Sequence, residues 1–302
     1  MSYLAIVVPP LQWVDRRLPF TRDQVMLLMI ASNEILLGVE TYLAHKISGT
    51  IRPNEWIPII FGPVAGLLLL AAGLLALRQR RLAMVTATIV LLVSIAVGLL
   101  GAYFHLIRIT VPGAETWRLF FLDLAVWGPP ILGPLTFALV GLMGISAVWQ
   151  EDPPDSGRLV LLDRYRLQLP YGKTQAYFFM ISLGTLATVI SSVLDHARTP
   201  FDNLWLWVPT GVGVFAVVVA AMLGARERPS RGDLSVYTLA MVLLVLVGAT
   251  GSLLHVLQNL TPGGEFVAER FLRGAPPLAP LLFSDMGALG LIVLLDPKTQ
   301  PD

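Results

Sequence analysis

Two stretches of the sequence repeat a histidine one helical turn beyond a glycine. GLLGAYFH covers residues 98–105 and GATGSLLH covers residues 248–255, so both read G-x-x-G-x-x-x-H. The chain has four histidines in all, and each closes a long apolar segment: His45, His105, His196 and His255. Neutral imidazole is the commonest metal ligand among protein side chains. The residue type and its repeated placement therefore predict ligand sites at the ends of four apolar segments.

The spacing also suggests what the glycines do beside such a ligand. Residues four and seven apart share a helix face, so these glycines lie one and two turns from the histidine. A flat porphyrin standing along a helix needs room there, so we expect one haem b with axial ligands His45 and His105. A second haem b would lie between His196 and His255, and four glycines would make room for the pair of haems: Gly98, Gly101, Gly248 and Gly251. The alternative is close packing between helices, which small residues permit.

Two glutamates offer a different ligand set for the same histidines. VPGAE at residues 111–115 matches TPGGE at residues 261–265, so Glu115 and Glu265 occupy matched positions. Two histidines with one carboxylate suit Zn²⁺ or non-haem iron that keeps open coordination positions. The competing explanation is electrostatic, because a glutamate just after Pro-Gly stabilises a helix N-terminus through the macrodipole.

Two carboxylates fall in the middle of apolar segments. Glu34 lies at the centre of the first segment and Asp285 at the centre of the last. Ionisable residues inside a bilayer are costly and are functional candidates by default. Glu34 shares a helix face with Thr41 and His45, a stripe that would carry protons or cations towards the histidine end. We expect both carboxyls to be largely uncharged and their helices to be neighbours that let them share a hydrogen bond or a water; the alternative is a purely structural pair.

The composition places the chain in a lipid bilayer. Of its 302 residues 55% are apolar and 14% are charged, and the mean hydropathy is +0.72. The net charge of +1 gives no basic surface for nucleic acid, and the absence of cysteine excludes disulfides, thiolate metal sites and iron–sulfur clusters. Eight segments have the roughly 20 apolar residues that cross a bilayer, without an internal Lys or Arg: 24–45, 57–77, 82–105, 124–148, 173–196, 204–224, 234–256 and 275–295.

The basic residues set the predicted orientation. Fourteen Lys and Arg residues lie on the side of the two termini, and seven lie on the other side. The positive-inside rule then puts both termini in the cytoplasm of a multi-pass cell-membrane protein and turns all four histidines outward. Residues 1–21 are predicted to lie at the interface, because their apolar part is short and interrupted by proline.

The chain also contains an internal duplication. Its two histidine pairs repeat at separations of 151 and 150 residues, and WGPPILGPLTF at 127–137 matches GAPPLAPLLF at 274–283. We therefore predict an all-α integral membrane protein with eight transmembrane helices, in two four-helix bundles that are parallel repeats. The predicted parts are repeat 1 at 22–149, a cytoplasmic linker at 150–172, repeat 2 at 173–297 and a C-terminal tail at 298–302.

Eight helices in two halves, with an outward histidine pair in each half, resemble haem A synthase. The resemblance covers most of the chain as an arrangement of helices. It rests on the placement and spacing of the four histidines: His45, His105, His196 and His255. The resemblance implies one haem-type site in each half.

Four functional hypotheses follow from these features. The first is electron transfer by a haem- or metal-binding membrane protein, with quinol or a membrane redox protein as its partner. An enzyme that modifies haem or a lipid-soluble substrate is the second. The third is a proton- or cation-coupled transporter built around Glu34 and Asp285. The fourth is a structural subunit of a larger membrane complex.

Overall fold

The structure is a computed structural model that describes residues 3–7, 20–47, 49–109, 123, 125–161, 165–199, 201 and 203–295. Most of these residues are helical, and the helices are, in chain order, α1 Tyr3–Val7, α2 Arg22–Ile47, α3 Trp56–Leu75, α4 Arg80–Ile109, α5 Leu132–Val148, α6 Lys173–Ala197, α7 Trp207–Gly224, α8 Arg231–Asn259, α9 Ala268–Arg273 and α10 Leu281–Ile292. Short 3₁₀ turns at Pro53–Glu55 and Leu204–Leu206 lead into α3 and α7. The predicted tail at 298–302, and most of the predicted segment 1–21, lie outside the described residues.

Six helices in the described ranges are long and apolar enough to cross a membrane: α2, α3, α4, α6, α7 and α8. Their outer surfaces carry large aliphatic side chains, and Leu67, Leu74 and Leu246 are each more than half exposed. A soluble protein rarely exposes an apolar surface of this extent. The all-α prediction is confirmed for the described residues, apart from one small sheet, and the exterior has the character of a lipid-facing surface.

The fourth segment of each predicted half is less helical than expected. α5 begins only at Leu132, and α10 has 12 residues where the sequence predicts a span at 275–295. A helix of that length covers about 18 Å, against about 30 Å for the hydrocarbon core of a bilayer. Two consecutive prolines precede each of these helices, at 129–130 and at 276–277. Proline lacks the N–H of a helical hydrogen bond and disfavours helix in the residue before it, so both helices start late.

The helices form two groups with the same cycle of contacts. In the first group α2 packs on α3, α3 on α4 and α4 on α5, and α5 closes the ring by packing on α2. The second group makes this cycle with α6, α7, α8 and α10. The groups meet where α5 contacts α6 and where α10 contacts α2. One buried apolar core runs through both groups, and its largest side chains include Phe137, Tyr177 and Tyr237.

The segment between the two groups forms a small antiparallel sheet that was not expected from its polar, proline-containing sequence. Its strands follow one another in space as in sequence: β1 Gln150–Glu151, β2 Arg158–Leu161 and β3 Tyr165–Gln168. The Glu151 carboxylate accepts hydrogen bonds from the backbone N–H of Asp155 at 2.7 Å and of Gly157 at 2.6 Å. It also accepts one from the backbone N–H of Lys173 at 2.9 Å, so this carboxylate fastens the sheet to the first residue of α6.

An ion pair and a hydrogen bond, each made by a buried cation, join the first turns of α2 and α6. The Lys173 ammonium donates to Asp23 Oδ2 at 2.6 Å and to the carbonyl oxygen of Trp149 at 2.8 Å. The Arg22 guanidinium donates to Thr174 Oγ1 at 2.7 Å. Both cations are only 2% exposed, and a buried charge is tolerated when it is paired and hydrogen-bonded. This junction therefore fixes the ends of the two groups that lie opposite the histidines.

Candidate functional site

The C-terminal ends of α2 and α4 bring one histidine pair together. The ring centroids of His45 and His105 are 6.2 Å apart, with 56° between the ring planes. His45 Nδ1 lies 2.8 Å from the carbonyl oxygen of Thr41, and His105 Nδ1 lies 2.8 Å from the carbonyl oxygen of Pro130. A carbonyl oxygen only accepts hydrogen bonds. In the neutral imidazoles both Nδ1 atoms therefore carry the hydrogen, and both Nε2 atoms are acceptors.

The contact between histidine and proline has a counterpart in the second group. His255 Nδ1 lies 2.8 Å from the carbonyl oxygen of Pro276, and the Ser252 hydroxyl donates to the carbonyl oxygen of Pro277 at 2.7 Å. Non-helical backbone at membrane depth has to find its partners within the protein. His255 and Ser252 of α8, like His105 of α4, supply those partners for the proline-rich segment that leads into the fourth helix.

The neighbouring segment fills the space beside the glycines of the repeated pattern. A Cβ on Gly98 would lie 2.5 Å from the backbone nitrogen of Ala138, and a Cβ on Gly101 would lie 2.7 Å from Pro134 Cβ. In the second group the corresponding glycines meet Pro280 in the same way. Small residues here admit a close helix contact, which is the alternative explanation. In this structure the neighbouring segment occupies the space that the prediction assigned to a flat cofactor beside all four glycines: Gly98, Gly101, Gly248 and Gly251.

A cavity of about 190 Å³ lies beside the first histidine pair. Its walls come from α2, α3, α4 and the start of α5, and Leu282 of the second group borders it. Sites for drug-sized ligands measure roughly 300–1,000 Å³, and a porphyrin is no smaller than such a ligand. The surroundings of His45 and His105 therefore do not fit a haem. The polar residues around the cavity are Glu40, Thr41, His45, Asn54, Glu55, His105, Arg108 and Thr136.

Of the two predicted glutamate ligands, Glu265 lies in the described part of the chain. Within the described ranges, no group of three or more His, Asp or Glu side chains is placed to hold a metal ion. Glu265 is exposed, and its backbone N–H donates to Thr261 Oγ1 at 2.9 Å in a turn. Glu115 lies outside the described residues. A metal ion bound at the first histidine pair would have two imidazole nitrogens as ligands from the described residues, one from His45 and one from His105. Its other coordination positions would be open.

The second histidine pair has different surroundings from the first. His196 Nδ1 is buried and has no hydrogen-bond partner in the part of the chain that the structure describes. The His196 ring lies edge-on to Phe201, with 6.1 Å between the centroids. His255 acts electrostatically on His196, so the two imidazoles share one neighbourhood. The pairs therefore differ, because both Nδ1 atoms of the first pair are hydrogen-bonded and Nδ1 of His196 is not.

Glu34 lies on the same face of α2 as His45, eleven residues earlier. Its side chain has no solvent exposure, and Oε1 lies 2.5 Å from the Ser94 hydroxyl oxygen of α4. The same hydroxyl oxygen lies 2.9 Å from the carbonyl oxygen of Phe137. Serine has a single hydrogen, so it donates to only one of these two oxygens at a time. When Ser94 donates its hydrogen to the Phe137 carbonyl, its oxygen can only accept a hydrogen bond from Glu34. Glu34 can donate that bond only if its carboxyl is protonated.

Asp285 is held by the residue next to Glu34. Asn33 Nδ2 donates to Asp285 Oδ2 at 2.9 Å, across the contact between α2 and α10. The first and last predicted helices are thus neighbours, as expected. Of the two expected links between Glu34 and Asp285, the direct hydrogen bond is not formed, because Ser94 binds Glu34 and Asn33 binds Asp285. The shared water stays a prediction. The sequence signal for Ser94 was a polar residue inside an apolar segment, three helical turns before His105. The signal for Asn33 was a polar residue directly beside the acid Glu34.

These groups form one line through the first helix group. Glu34 contacts Ser94, and His45 contacts His105 eleven residues further along the same two helices. The cavity wall begins one turn beyond the first pair, at Leu37 and Val97. Comparisons with known proteins found no match to this chain among family models, curated proteins or solved structures.

Proposed function

We propose that the chain is an integral protein of the cell membrane with eight transmembrane helices in two parallel four-helix repeats, 22–149 and 173–297. The matching cycles of helix contacts support this arrangement. The contacts of Arg22 and Lys173 support it too, because these residues are 151 positions apart and each contacts the residue that follows the other. Reciprocal contacts of this kind are expected across a two-fold axis. The proline-rich segments complete the crossings of α5 and α10, since α4 and α8 satisfy their carbonyls.

In this proposal the linker at 150–172 and both termini are cytoplasmic, and the histidine ends of the helices face outwards. The distribution of basic residues supports this orientation. The chain has no cysteine, so Ser156→Cys reports on the linker without a background of native thiols. We expect a membrane-impermeant maleimide to label Ser156→Cys in inside-out vesicles and not in intact cells. Labelling in intact cells would show that the linker faces outwards and that the proposed orientation is wrong.

The first repeat, in our proposal, moves protons between Glu34 and the outer face as part of a proton- or cation-coupled transporter. One observation carries this: α2 and α4 face each other with a carboxyl and a hydroxyl at one level and two imidazoles at the other. At 1.5 Å per residue, the levels of Glu34 and His45 are about 16 Å apart along α2. The cavity wall includes Leu37 and Thr41, which fill the interval between them.

Each group on this line can hold or pass a proton. Ser94 turns its single hydrogen from Phe137 towards Glu34 when that carboxyl releases its proton. The Thr41 hydroxyl donates to the carbonyl of Leu37 at 2.7 Å, so its oxygen remains an acceptor for water. At about 30 Å³ per molecule, the cavity holds roughly six waters. The imidazoles complete the path, since histidine exchanges protons readily near neutral pH.

The second repeat lacks the acid of this line. Thr185 stands at the position of Glu34, 151 residues on, and Leu244 stands at the position of Ser94, 150 residues on. Both side chains are fully buried, and the Thr185 hydroxyl has no partner among the described atoms. A threonine and a leucine do not titrate. The proton path therefore belongs to the first repeat alone.

Infrared spectroscopy of the reconstituted protein tests this path. When the buffer is switched between acidic and alkaline, we expect a carboxyl band that Glu34→Gln removes and that Glu269→Gln keeps. Glu269 is the matched control because it lies on the exposed face of α9, 2.7 Å from Arg273. Replacing His45 and His105 together by alanine is expected to slow the change in this band. A Glu34 band that never responds, or that responds as fast without the two histidines, would contradict the proposal.

The histidine pair also supports a second candidate, a redox protein with a metal at this site and quinol or a membrane redox protein as partner. The specific observation is that both Nδ1 atoms lie at hydrogen-bond distance from carbonyl oxygens, as ligand histidines usually do. The cavity suits non-haem iron or zinc on His45 and His105 better than it suits haem b. Metal analysis and an absorption spectrum test this candidate. Stoichiometric metal that His105→Ala removes would support it, and protein without metal or a Soret band would reject it.

A further inference from the structure

The cavity beside the first histidine pair has a ring-sized apolar part. A protein cavity of about 150 Å³ lined by aliphatic and aromatic side chains binds benzene. The cavity here measures about 190 Å³, which leaves space for one ring and a short head group. Its deeper wall is apolar, with Leu37, Val97 and Phe137. A ligand that fits it therefore has an apolar body no larger than a single ring.

The opposite end of the cavity carries an excess of negative charge. Arg108 pairs with Glu55 at 3.6 Å, which leaves their combined charge close to zero. Glu40 also lines the cavity, and in the described part of the chain no basic side chain forms an ion pair with it. A positively charged head group is therefore favoured here over an anion.

The hydrogen-bonding groups at the same end are mainly acceptors. The Nδ1–H of His105 donates to the Pro130 carbonyl, so Nε2 of the neutral ring accepts. The Thr41 hydroxyl uses its hydrogen on the Leu37 carbonyl and also accepts. The Glu40 carboxyl accepts hydrogen bonds in its ionised form, which a neighbouring ammonium group favours. The head group that satisfies this set is a donor with several hydrogens.

We propose that this cavity binds small organic amines in their ammonium form, with a single-ring apolar body and the head group at Glu40 and His105. This inference rests on the proposed transport function, because it makes such amines the transported substrate. One proton taken up for each ammonium released would leave the charge of the first repeat unchanged. That exchange links the cavity to Glu34, the proposed proton site, which lies one helical turn before the cavity-lining residue Leu37 on α2.

Three ligands with the same ring and different head groups test the inference: benzylamine, benzyl alcohol and benzoate. We expect isothermal titration of the detergent-purified protein to show binding of benzylamine at least tenfold tighter than that of benzyl alcohol, and no binding of benzoate. Glu40→Gln keeps the side-chain volume and removes the charge, so benzylamine is expected to lose at least tenfold in affinity. Glu40→Asp keeps the charge and is expected to keep the preference for the amine. Glu269→Gln is the control for an exposed glutamate outside the cavity.

The outcomes separate this inference from the proton path. Equal binding of the three ligands, or benzylamine binding that Glu40→Gln leaves unchanged, would overturn the inference and mark the cavity as a plain apolar void. A responsive Glu34 infrared band without benzylamine binding would leave the proton path standing and remove the substrate. Benzylamine binding that depends on Glu40, with no response of Glu34, would keep the binding site and remove the transport function.

Discussion

The hydrogen bond between Glu34 and Ser94 predicts that replacing Ser94 lowers the free energy of unfolding more than replacing Glu34 does. Ser94 is the one described partner of the Glu34 carboxyl, whose other oxygen, Oε2, has none among the described atoms. In Ser94→Ala the buried carboxyl loses that partner. An unsatisfied buried polar group costs about 1–3 kcal/mol of unfolding free energy, and we expect this loss. Ser32→Ala is the control, because the Ser32 hydroxyl is exposed and bonds only to the carbonyl of Leu28 in its own helix.

The opposite replacement is expected to cost less. Glu34→Met has a similar volume, and volume-conserving changes in a core usually cost less than about 1.5 kcal/mol. Ser94 then keeps its bond to the carbonyl oxygen of Phe137 at 2.9 Å, and no buried carboxyl is left without a partner. Once Glu34 is methionine, Ser94→Ala is expected to add little. The two replacements are therefore coupled by about 1–3 kcal/mol, the cost of the unsatisfied carboxyl.

Unfolding of the four proteins in mixed detergent micelles measures this coupling as a double-mutant cycle. The order of stability we expect is wild type, Glu34→Met, the double variant close to it, and Ser94→Ala last. Ser94→Ala within about 0.5 kcal/mol of wild type, the range of neutral surface changes, would refute the reasoning. Additive effects of the two replacements would refute it as well, because they would show that the carboxyl finds its partner elsewhere.

Three further predictions use the same unfolding assay. Gly98→Ala is expected to cost about 1–3 kcal/mol of unfolding free energy through overpacking. The control is Gly73→Ala, where nothing lies within 4 Å of the new Cβ, and it is expected to stabilise α3 by up to about 1 kcal/mol. An unchanged stability of Gly98→Ala would mean that the helix contact at Gly98 is loose. Asn33→Leu leaves Asp285 without its donor and is expected to cost about 1–3 kcal/mol, and no change would show that this carboxyl has another partner. Lys173→Met removes a buried cation from the junction of α2 and α6 and is expected to cost about 3 kcal/mol, while a surface-like effect would mean that the junction is solvated.

The sequence predicted those features that depend on periodicity. Apolar length predicted the six long helices. Helical spacing placed Glu34 and His45 on one face of α2, and Gly98, Gly101 and His105 on one face of α4. Those faces do meet in the structure. The contact of the first and last helices also followed, because a buried carboxyl in each needs a polar neighbour. Local periodicity is a property of the chain itself, so a single sequence is enough to show it.

The features that depend on how helices approach one another could not be predicted. The glycines beside His105 suggested a space, but the size of a space is set by the element opposite, here Pro134 and Ala138. The late starts of α5 and α10 depend on whether non-helical backbone finds partners, which His105 and His255 provide. The contacts of the junction join residues about half a chain apart. In each case the sequence shows one partner and gives no sign of the other.

The histidines and glycines of the repeated pattern now have a structural explanation that holds in both proposed repeats. In each, the glycines let a proline-rich segment approach and the histidine binds the carbonyl of that segment. The contact is needed wherever the fourth helix starts late, so duplication would preserve it in both halves. The acid and its serine are present in the first half only, since Thr185 and Leu244 replace them in the second. The glycine–histidine pattern that both halves share therefore supports the fold. The functional chemistry is better sought in the features of one half alone, which are Glu34, its partner Ser94 and the cavity between Glu34 and the histidines.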